Sequence, residues 1–266
     1  MNLRPIGVVR SQVRERKAMP PFGAPASVEV FPEFRDGLHR LEKHSHIWVF
    51  AWLDQAEREL LQVTPRGVSD SGPEGLHGVF AVRSPARPNP IGLTAAEILR
   101  VRDGTIDVDL LDFLDGTKVI DLKPYFCSRD IIFSASNAQI GQPSSREAMR
   151  DSLLRQALRF HGELCPDLAL AVRIIEHFRA EALGLNEPEE WRITAPVRRG
   201  CLIDALIGIT RATPGRGGLQ FADEDAVRIQ RQKTVFLYRL DAIRPADYDR
   251  VLSAPDADIF QFEIAP

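Results

Sequence analysis

The sequence predicts two domains, an all-β antiparallel barrel or sandwich followed by an α+β domain. Short apolar segments recur at regular spacing in the first half, and turns rich in glycine and proline separate them, which is typical of all-β folds. After residue 145 the apolar residues recur at helical spacing instead. We therefore expect a first domain over residues 1–138, a linker over residues 139–148 and a second domain over residues 149–266.

The strands of the first half follow from their apolar patterns. Residues 105–111 alternate apolar side chains with aspartates, which predicts a half-exposed strand, and Asp103-Gly104 before it is a hairpin turn signal. The continuous apolar run of residues 46–53 predicts a strand buried on both faces. The other predicted strands are residues 4–10, 28–31, 78–83, 94–101 and 119–122.

The second half opens with a polar linker and continues with two amphipathic helices. Residues 139–145 contain Gly141 and Pro143, and Ser145 can open a helix. Strands are predicted at residues 235–238 and 259–264. The two helical stripes are Met149, Leu153, Ala157 and Leu158, then Leu168, Ala171, Val172, Ile175 and Phe178.

Composition narrows the class of protein. The chain is 44% hydrophobic and 27% charged with a net charge of −3, an ordinary globular profile that argues against a dedicated nucleic-acid binder. Three scattered cysteines are too few for a disulfide framework, so metal binding or burial is expected, and we assign Cys127 to the core. No apolar run could span a membrane and the start lacks a signal peptide, so we expect a cytoplasmic protein.

Residues 83–94, Arg-Ser-Pro-Ala-Arg-Pro-Asn-Pro-Ile-Gly-Leu-Thr, form the most constrained stretch of the first half. Each proline fixes its own φ and restricts the residue before it, so Arg87 and Asn89 are pushed toward extended backbone. Such a segment suits a preorganised ligand cradle, and it equally suits a rigid surface crossover. The segment alone does not decide between the two.

Three segments in order resemble a known family. Residues 5–11 (Pro-Ile-Gly-Val-Val-Arg-Ser), residues 83–92 and residues 115–125 (Asp-Gly-Thr-Lys-Val-Ile-Asp-Leu-Lys-Pro-Tyr) look like the TsaA-like β-barrel methyltransferases. That family includes the enzyme that methylates N6 of threonylcarbamoyladenosine next to the tRNA anticodon. The resemblance covers residues 1–138 and implies an S-adenosylmethionine site on a small antiparallel barrel.

The resemblance also implies which residues hold the cofactor. Arginine matches a carboxylate bidentately, so Arg83 or Arg87 is expected to bind the methionine carboxylate. Glycine and rigid proline turns let backbone groups approach adenine closely. The implied cofactor-binding residues are Arg83, Arg87, Pro88, Asn89, Pro90, Ile91, Gly92 and Leu93, with Asp115, Gly116 and Thr117 opposite.

Three further residues are candidates for the chemistry. Methyl transfer from a sulfonium is an in-line displacement, so positioning is most of the protein's contribution. Asp121, Lys123 and Tyr125 lie at the end of one strand and could orient the acceptor or relay its proton. The alternative for Asp121 and Lys123 is an exposed ion pair that contributes little to stability.

One segment departs from the family pattern. Residues 20–22 read Pro-Pro-Phe where tRNA-modifying members have Pro-Arg-Gln, so the methyl acceptor can differ.

The second half carries a possible metal site. A histidine and a cysteine four residues apart, His161 and Cys165, with Cys201 brought in by folding, offer nitrogen and sulfur ligands fit for zinc. Pro166 suits a first helical position, which puts Cys165 at a helix N-terminus where a thiolate is favoured. The alternative is a free cysteine in the core.

The motif Phe-His-Gly-Glu-Leu-Cys-Pro, residues 160–166, resembles the E component of formylmethanofuran dehydrogenase, and this resemblance extends across residues 146–266. That family reads Phe-His-Gly-His-x-Cys-Pro-Gly, with a later cysteine completing a metal site. Here Glu163 replaces the second histidine and Ala212 replaces a cysteine expected before the Thr-x-Gly turn. Asp204 could support the metal or act as a base. Arg216 could hold an anionic substrate or belong to a plain turn.

Three functions follow from these patterns. The first is an S-adenosylmethionine-dependent methyltransferase whose small-molecule acceptor is held at the metal of the second domain. The second is a tRNA (N6-threonylcarbamoyladenosine-N6)-methyltransferase. The third is a sensor that binds S-adenosylmethionine or metal without catalysis. We expect S-adenosylmethionine and zinc as cofactors, a small-molecule acceptor or tRNA as partner, no membrane contact, and a homodimer.

Overall fold

The computed structural model describes residues 2–69, 72–135, 137, 140–182, 191–240 and 247–265. The chain folds as two compact units, one of residues 1–65 and 70–135 and one of residues 66–69 and 136–266. The boundary predicted between residues 138 and 139 lies outside the described residues. Within the part of the chain that the structure describes, no helix combines the length and apolarity needed to cross a membrane.

The first unit is a closed antiparallel barrel of six strands, which confirms the all-β fold class. Its strands follow one another around the barrel in the order β1-β2-β7-β6-β3-β8. In a separate two-stranded sheet β4 (Gln62–Val63) pairs with β5 (His77–Gly78), and a single helical turn, α1 (Cys127–Asp130), follows the last barrel strand. The barrel strands are β1 (Gly7–Ser11), β2 (Ala24–Val30), β3 (His46–Trp52), β6 (Ile91–Arg102), β7 (Thr105–Leu111) and β8 (Lys118–Pro124).

Side chains alternate between the inside and the outside of this barrel. On β3, Ile47, Val49 and Ala51 are fully buried inside, whereas Trp48 and Phe50 lie outside and are partly exposed. The prediction that this strand is buried on both faces is therefore wrong, because only the inner face packs in the barrel core. The predicted turn Asp103-Gly104 is confirmed, since both residues have positive φ, as a tight hairpin requires.

Two other predictions for the first half are wrong. Residues 79–82 form turns and a bend after the short strand β5, because the rigid proline segment follows closely and prevents a longer ladder. Cys127 is exposed at the start of α1, since the apolar residues of that segment also face outward. Both segments lie outside the alternating pattern that fills the barrel.

The second unit packs helices against a five-stranded sheet, which confirms the α+β class. The sheet order is β10-β9-β11-β12-β13, with β10 parallel to β9 and the other pairs antiparallel. The strands are β9 (Arg192–Pro196), β10 (Leu219–Ala222), β11 (Ala226–Arg231), β12 (Thr234–Arg239) and β13 (Gln261–Ala265). The helices are α2 (Arg146–His161), α3 (Pro166–His177), α4 (Gly200–Thr210) and α5 (Tyr248–Ser253).

Helix α3 is the centre of this unit. Every residue from Leu168 to Glu176 is buried, including two charged ones. Glu176 is fully buried and accepts hydrogen bonds from Arg146 at 2.8 Å and from Arg150 at 2.7 Å, and Arg173 lies 3.4 Å away. The buried carboxylate is thus compensated by arginines from two helices, as a buried charge requires.

Candidate cofactor and metal sites

The proline segment is a loop that leads into β6, and Arg87 holds it together. The Arg87 guanidinium donates through Nε to the Ser84 carbonyl at 2.8 Å and through Nη2 to the carbonyls of Val79 at 3.0 Å and Val82 at 2.7 Å. The sequence made Arg87 a candidate for binding the methionine carboxylate, but these guanidinium donors already bind carbonyls of the loop. Arg83 is exposed and is therefore the better placed of the two arginines for that ligand.

The residues that follow the loop begin β6. Gly92 faces the barrel interior opposite Ala51, where a Cβ would overlap the ring of Phe113. Ile91 and Leu93 point outward and are exposed. Of the implied cofactor residues here, Gly92 therefore serves the packing of the barrel core, while the side chains of Ile91 and Leu93 remain accessible.

The Asp115-Gly116-Thr117 turn lies at the same end of the barrel as the proline segment. In the strand register Lys118 pairs with Trp52, and Trp52 pairs with Ile91, so the start of β8 and the start of β6 flank the end of β3. The structure thus brings together the two segments that the sequence assigned to the cofactor. A surface cleft of about 510 Å³ beside the proline segment is lined by Arg58, Glu59, Leu61, Pro88 and Asn89.

A larger cleft, of about 640 Å³, lies at the other end of β6. Its lining mixes Arg35, Arg102 and Asp103 around the β6–β7 hairpin. None of the residues implied for cofactor binding lines it. The smaller cleft is the better candidate for the cofactor site, because Pro88 and Asn89 of the proline segment line it.

The three candidate catalytic residues lie at different distances from the segments assigned to the cofactor. Asp121 pairs with Phe50, which pairs on its other side with Leu93, so Asp121 is the nearest of the three. Lys123 pairs with Asp121 at 2.6 Å with both side chains about half exposed, which is the geometry of a surface ion pair. Tyr125 packs beside Trp48 with ring centroids 5.5 Å apart. Tyr125 follows Lys118 by seven positions, so the two lie about 23 Å apart along the strand direction. A catalytic role for these residues stays a prediction.

In the second unit the structure brings the three predicted metal ligands together. His161 ends α2, Cys165 is the N-cap of α3, and Cys201 is the second residue of α4. Their ligand atoms all lie within 4.8 Å of one another. The Cys165 Sγ lies 3.5 Å from the His161 Nε2, which equals the separation of about 3.5 Å expected for sulfur and nitrogen ligands of one tetrahedral zinc ion.

Both thiols of this cluster lie at helix N-termini, Cys165 at that of α3 and Cys201 at that of α4. The backbone N–H of Leu168 donates to the Cys165 Sγ at 3.4 Å, as at an N-cap. Burial and the neighbouring Cys165 raise the pKa of the Cys201 thiol. Two adjacent thiolates repel, and a bound cation removes that repulsion, so the donor set fits a zinc ion.

Position 212 supplies no ligand. Ala212 is buried, and Gly218 lies so close that a Cβ at position 218 would be 3.2 Å from the Ala212 Cβ. Ala212 therefore does not replace the metal-binding cysteine that the family signature has at this position. Arg216 is exposed in the turn Pro214–Arg216 and is accessible to an anion.

One residue that the sequence did not single out holds the cluster together. Arg199, the N-cap of α4, donates to Asp167 in the first turn of α3 at 2.8 Å and to Asp225 at 2.6 Å. It thereby joins the two helix N-termini that carry Cys165 and Cys201. The partners are 32 and 26 positions away, so no local sequence signal could have revealed these ion pairs.

Family models match both units. Residues 8–131 match the tRNA-methyltransferase O N-terminal domain, and residues 160–251 match the FmdE domain, described from the molybdenum formylmethanofuran dehydrogenase operon. Solved structures of TrmO cover the whole chain at 20–23% identity with TM-scores of 0.42–0.44. That likeness is too distant to bear on function.

Curated relatives give closer matches. A probable S-adenosyl-L-methionine-binding protein of Archaeoglobus fulgidus is 38% identical over 88% of this chain, which spans 65% of the relative's length. An S-adenosyl-L-methionine-binding protein of the same organism is 44% identical over 47% of this chain and 89% of its own length.

A third relative carries the name of an enzyme. The putative S-adenosylmethionine-dependent methyltransferase RcsF of Pseudomonas aeruginosa is 36% identical over 62% of this chain and 72% of its own length.

The family models confirm the resemblances inferred from the motifs in both halves of the chain. The chain belongs to the S-adenosylmethionine-binding family that shares the tRNA-methyltransferase O N-terminal domain, joined here to an FmdE domain.

Proposed function

We propose that this protein is an S-adenosylmethionine-dependent methyltransferase whose acceptor is a small molecule bound through a metal ion in the second unit. The observation that carries the proposal is the cluster of His161, Cys165 and Cys201 in a chain whose first unit belongs to an S-adenosylmethionine-binding family. Three protein ligands leave one position of a tetrahedral zinc for another group.

The first unit contributes positioning in this proposal. The loop braced by Arg87 presents its backbone and the side chain of Asn89 at a cleft whose size suits a cofactor. Arg83 would pair with the methionine carboxylate. Because little of the loop has to be ordered when the cofactor binds, the entropic cost of binding is small.

The second unit would hold the acceptor. Zinc, when bound, would polarise the acceptor and lower the pKa of its reacting group. His161, Cys165 and Cys201 would hold the ion, and the exposed Arg216 would attract a negatively charged acceptor. The Pro20-Pro21-Phe22 turn supports an acceptor other than that of the tRNA-modifying members, because it lacks their arginine and glutamine.

A second candidate function is methylation of tRNA. The family description supports it, and so does a row of aromatic and cationic side chains outside the barrel. Tyr125 packs beside Trp48, Lys123 lies over Phe50 and Arg129 lies over Phe126. Such a combination of aromatic and cationic side chains suits stacked bases and phosphates.

The homodimer and the cytoplasmic location remain predictions.

Labelled methyl transfer separates these functions. The purified protein loaded with zinc is incubated with methyl-labelled S-adenosylmethionine and either a small-molecule extract or total tRNA. We expect label in the small-molecule fraction, lost on removal of zinc by a chelator. Label in tRNA that persists without zinc would establish the second candidate instead. Cofactor binding without transfer to either pool would indicate a sensor, in keeping with the binding proteins among its relatives.

A further inference from the structure

The imidazole of His161 lies between two carboxylates that approach different nitrogens. The Asp204 Oδ2 lies 3.3 Å from Nδ1. The Glu163 Oε1 lies 3.9 Å from Nε2, the nitrogen that also faces the Cys165 Sγ at 3.5 Å. The two acidic residues therefore have different relations to any ion held by the cluster.

We propose that Asp204 is a positioning residue of the metal centre. Its carboxylate accepts the Nδ1–H of His161, which selects the neutral tautomer with a lone pair on Nε2. This lone pair is then on the nitrogen that faces the Cys165 Sγ. The inference rests on the proposed metal centre and adds how the chain prepares its one nitrogen ligand.

Three features of the structure support this role. The His161 side chain is only 7% exposed, so its ring is confined by its surroundings. Asp204 follows Cys201 by three positions on α4, so one face of this helix supplies both a thiol and the carboxylate. Ion pairs of Arg199 with Asp167 and Asp225 fix the start of α4, the helix that carries Asp204.

Glu163 shares the buried imidazole but lacks the other two features. Its side chain is 75% exposed, and it lies in the link between α2 and α3 rather than on a helix. It carries the same charge near the same imidazole, which makes it a control for charge alone. If Asp204 acted only through its negative charge, loss of the Glu163 charge would weaken zinc binding to a similar extent. If Asp204 orients the ring, only its own replacement should weaken zinc binding strongly.

The first test measures zinc affinity by competition with a chromophoric chelator, using the full chain and its Asp204→Asn, Asp204→Ala and Glu163→Gln variants. Loss of an outer partner of a ligating histidine typically weakens binding about 10- to 100-fold, and we expect this for both Asp204 variants. Glu163→Gln should change affinity less than about fivefold, the size of an exposed charge interaction. Equal losses in all three variants, or wild-type affinity in Asp204→Ala, would overturn the proposal.

The second test reads the tautomer directly and does not depend on metal. Nitrogen NMR of histidine-labelled protein, freed of metal, should show the proton on Nδ1 of His161 in the wild type. In Asp204→Ala the two tautomers should mix. A wild-type proton on Nε2 would refute the role of Asp204. If the wild type binds no zinc, the proposed metal centre fails, and this measurement still decides whether Asp204 orients the ring.

Discussion

Cys165 is the N-cap of α3, and its Sγ lies 3.5 Å from the Nε2 of His161, the last residue of α2. The two ligands are four positions apart in the chain, so the turn between the helices is enough to bring them together. Cys201 must arrive from a third helix. The cluster therefore depends on how α2, α3 and α4 pack.

Replacing a ligand should abolish metal binding without unfolding the unit. Serine is itself a preferred N-cap residue, so Cys165→Ser keeps the start of α3 while removing the sulfur. We expect stoichiometric zinc in the wild type and its loss in Cys165→Ser and Cys201→Ser, measured by elemental analysis after dialysis. Cys127→Ser is the control, because that exposed cysteine lies outside the cluster. Zinc lost equally from Cys127→Ser would argue against the site.

The two arginines of the proline segment should differ in their effects. Arg87→Ala removes the donors of three loop carbonyls and should cost about 1–3 kcal/mol of stability as well as cofactor affinity. Arg83→Ala should lower only the affinity, since Arg83 is exposed. Thermal unfolding and calorimetric titration with S-adenosylmethionine measure both quantities. An unchanged melting temperature in Arg87→Ala would contradict the bracing role.

A methyl group at position 92 should disturb the barrel core. In Gly92→Ala the new Cβ would overlap the Phe113 ring, and overpacking of this kind costs about 1–3 kcal/mol. Gly78→Ala is the matched control, because a Cβ at position 78 has open space and Gly78 has no positive φ. Urea unfolding compares the two variants, and equal stabilities would show that the core relaxes around residue 92.

Neutralising Glu176 should destabilise the second unit strongly. Glu176→Gln leaves Arg146, Arg150 and Arg173 without their shared carboxylate, and breaking a buried ion pair costs about 3–5 kcal/mol. The control is Glu263→Gln, which removes a half-exposed partner of Arg239 and should cost at most about 1 kcal/mol. Chemical denaturation followed by circular dichroism distinguishes them. Similar losses of unfolding free energy in both variants would mean that burial of Glu176 does not strengthen its ion pairs.

The contribution of Asp256 should depend on pH. Burial alone would raise its pKa, but the hydrogen bond and charge of Arg173, together with Arg146, lower the pKa of Asp256 below its ordinary value. Because the folded value is the lower one, the stabilisation is present above the unfolded pKa of about 3.9 and is lost as the pH falls through the folded pKa.

The measurement for this residue compares the wild type with Asp256→Asn. The difference in their unfolding free energies should be largest near neutral pH and should shrink in acid. Titration of stability with urea from neutral pH down to the acid limit of folding checks this. A difference that stays constant with pH would assign the effect of Asp256 to packing rather than to charge.

Part of the fold was open to prediction because it depends on local pattern. The alternating residues of β7 and the apolar stripes of α2 and α3 were predicted, since each period follows from the geometry of its own element. The N-cap position of Cys165 was predicted for the same reason, from the proline that follows it.

Other features were predicted wrongly or missed. The donors of Arg87 are directed at backbone carbonyls of its own loop, which composition does not reveal. Cys127 is exposed although cysteine is usually buried, and β3 is buried on one face although both its faces are apolar. The partners of Arg87 lie within eight positions, but only the fold of the loop turns their carbonyls toward the guanidinium. For Cys127 and β3, chain that lies far away in sequence decides which face is covered.

The sequence by itself determined the family, the periodic elements and the four-residue spacing of His161 and Cys165. Only the tertiary structure decided the strand order of the barrel, the approach of Cys201 and the placement of Asp204 behind the imidazole. The physical reason is the range of the forces concerned. Backbone preferences and side-chain periods act over a few residues, whereas closure of a barrel or a metal cluster joins residues tens of positions apart through packing that no local pattern encodes.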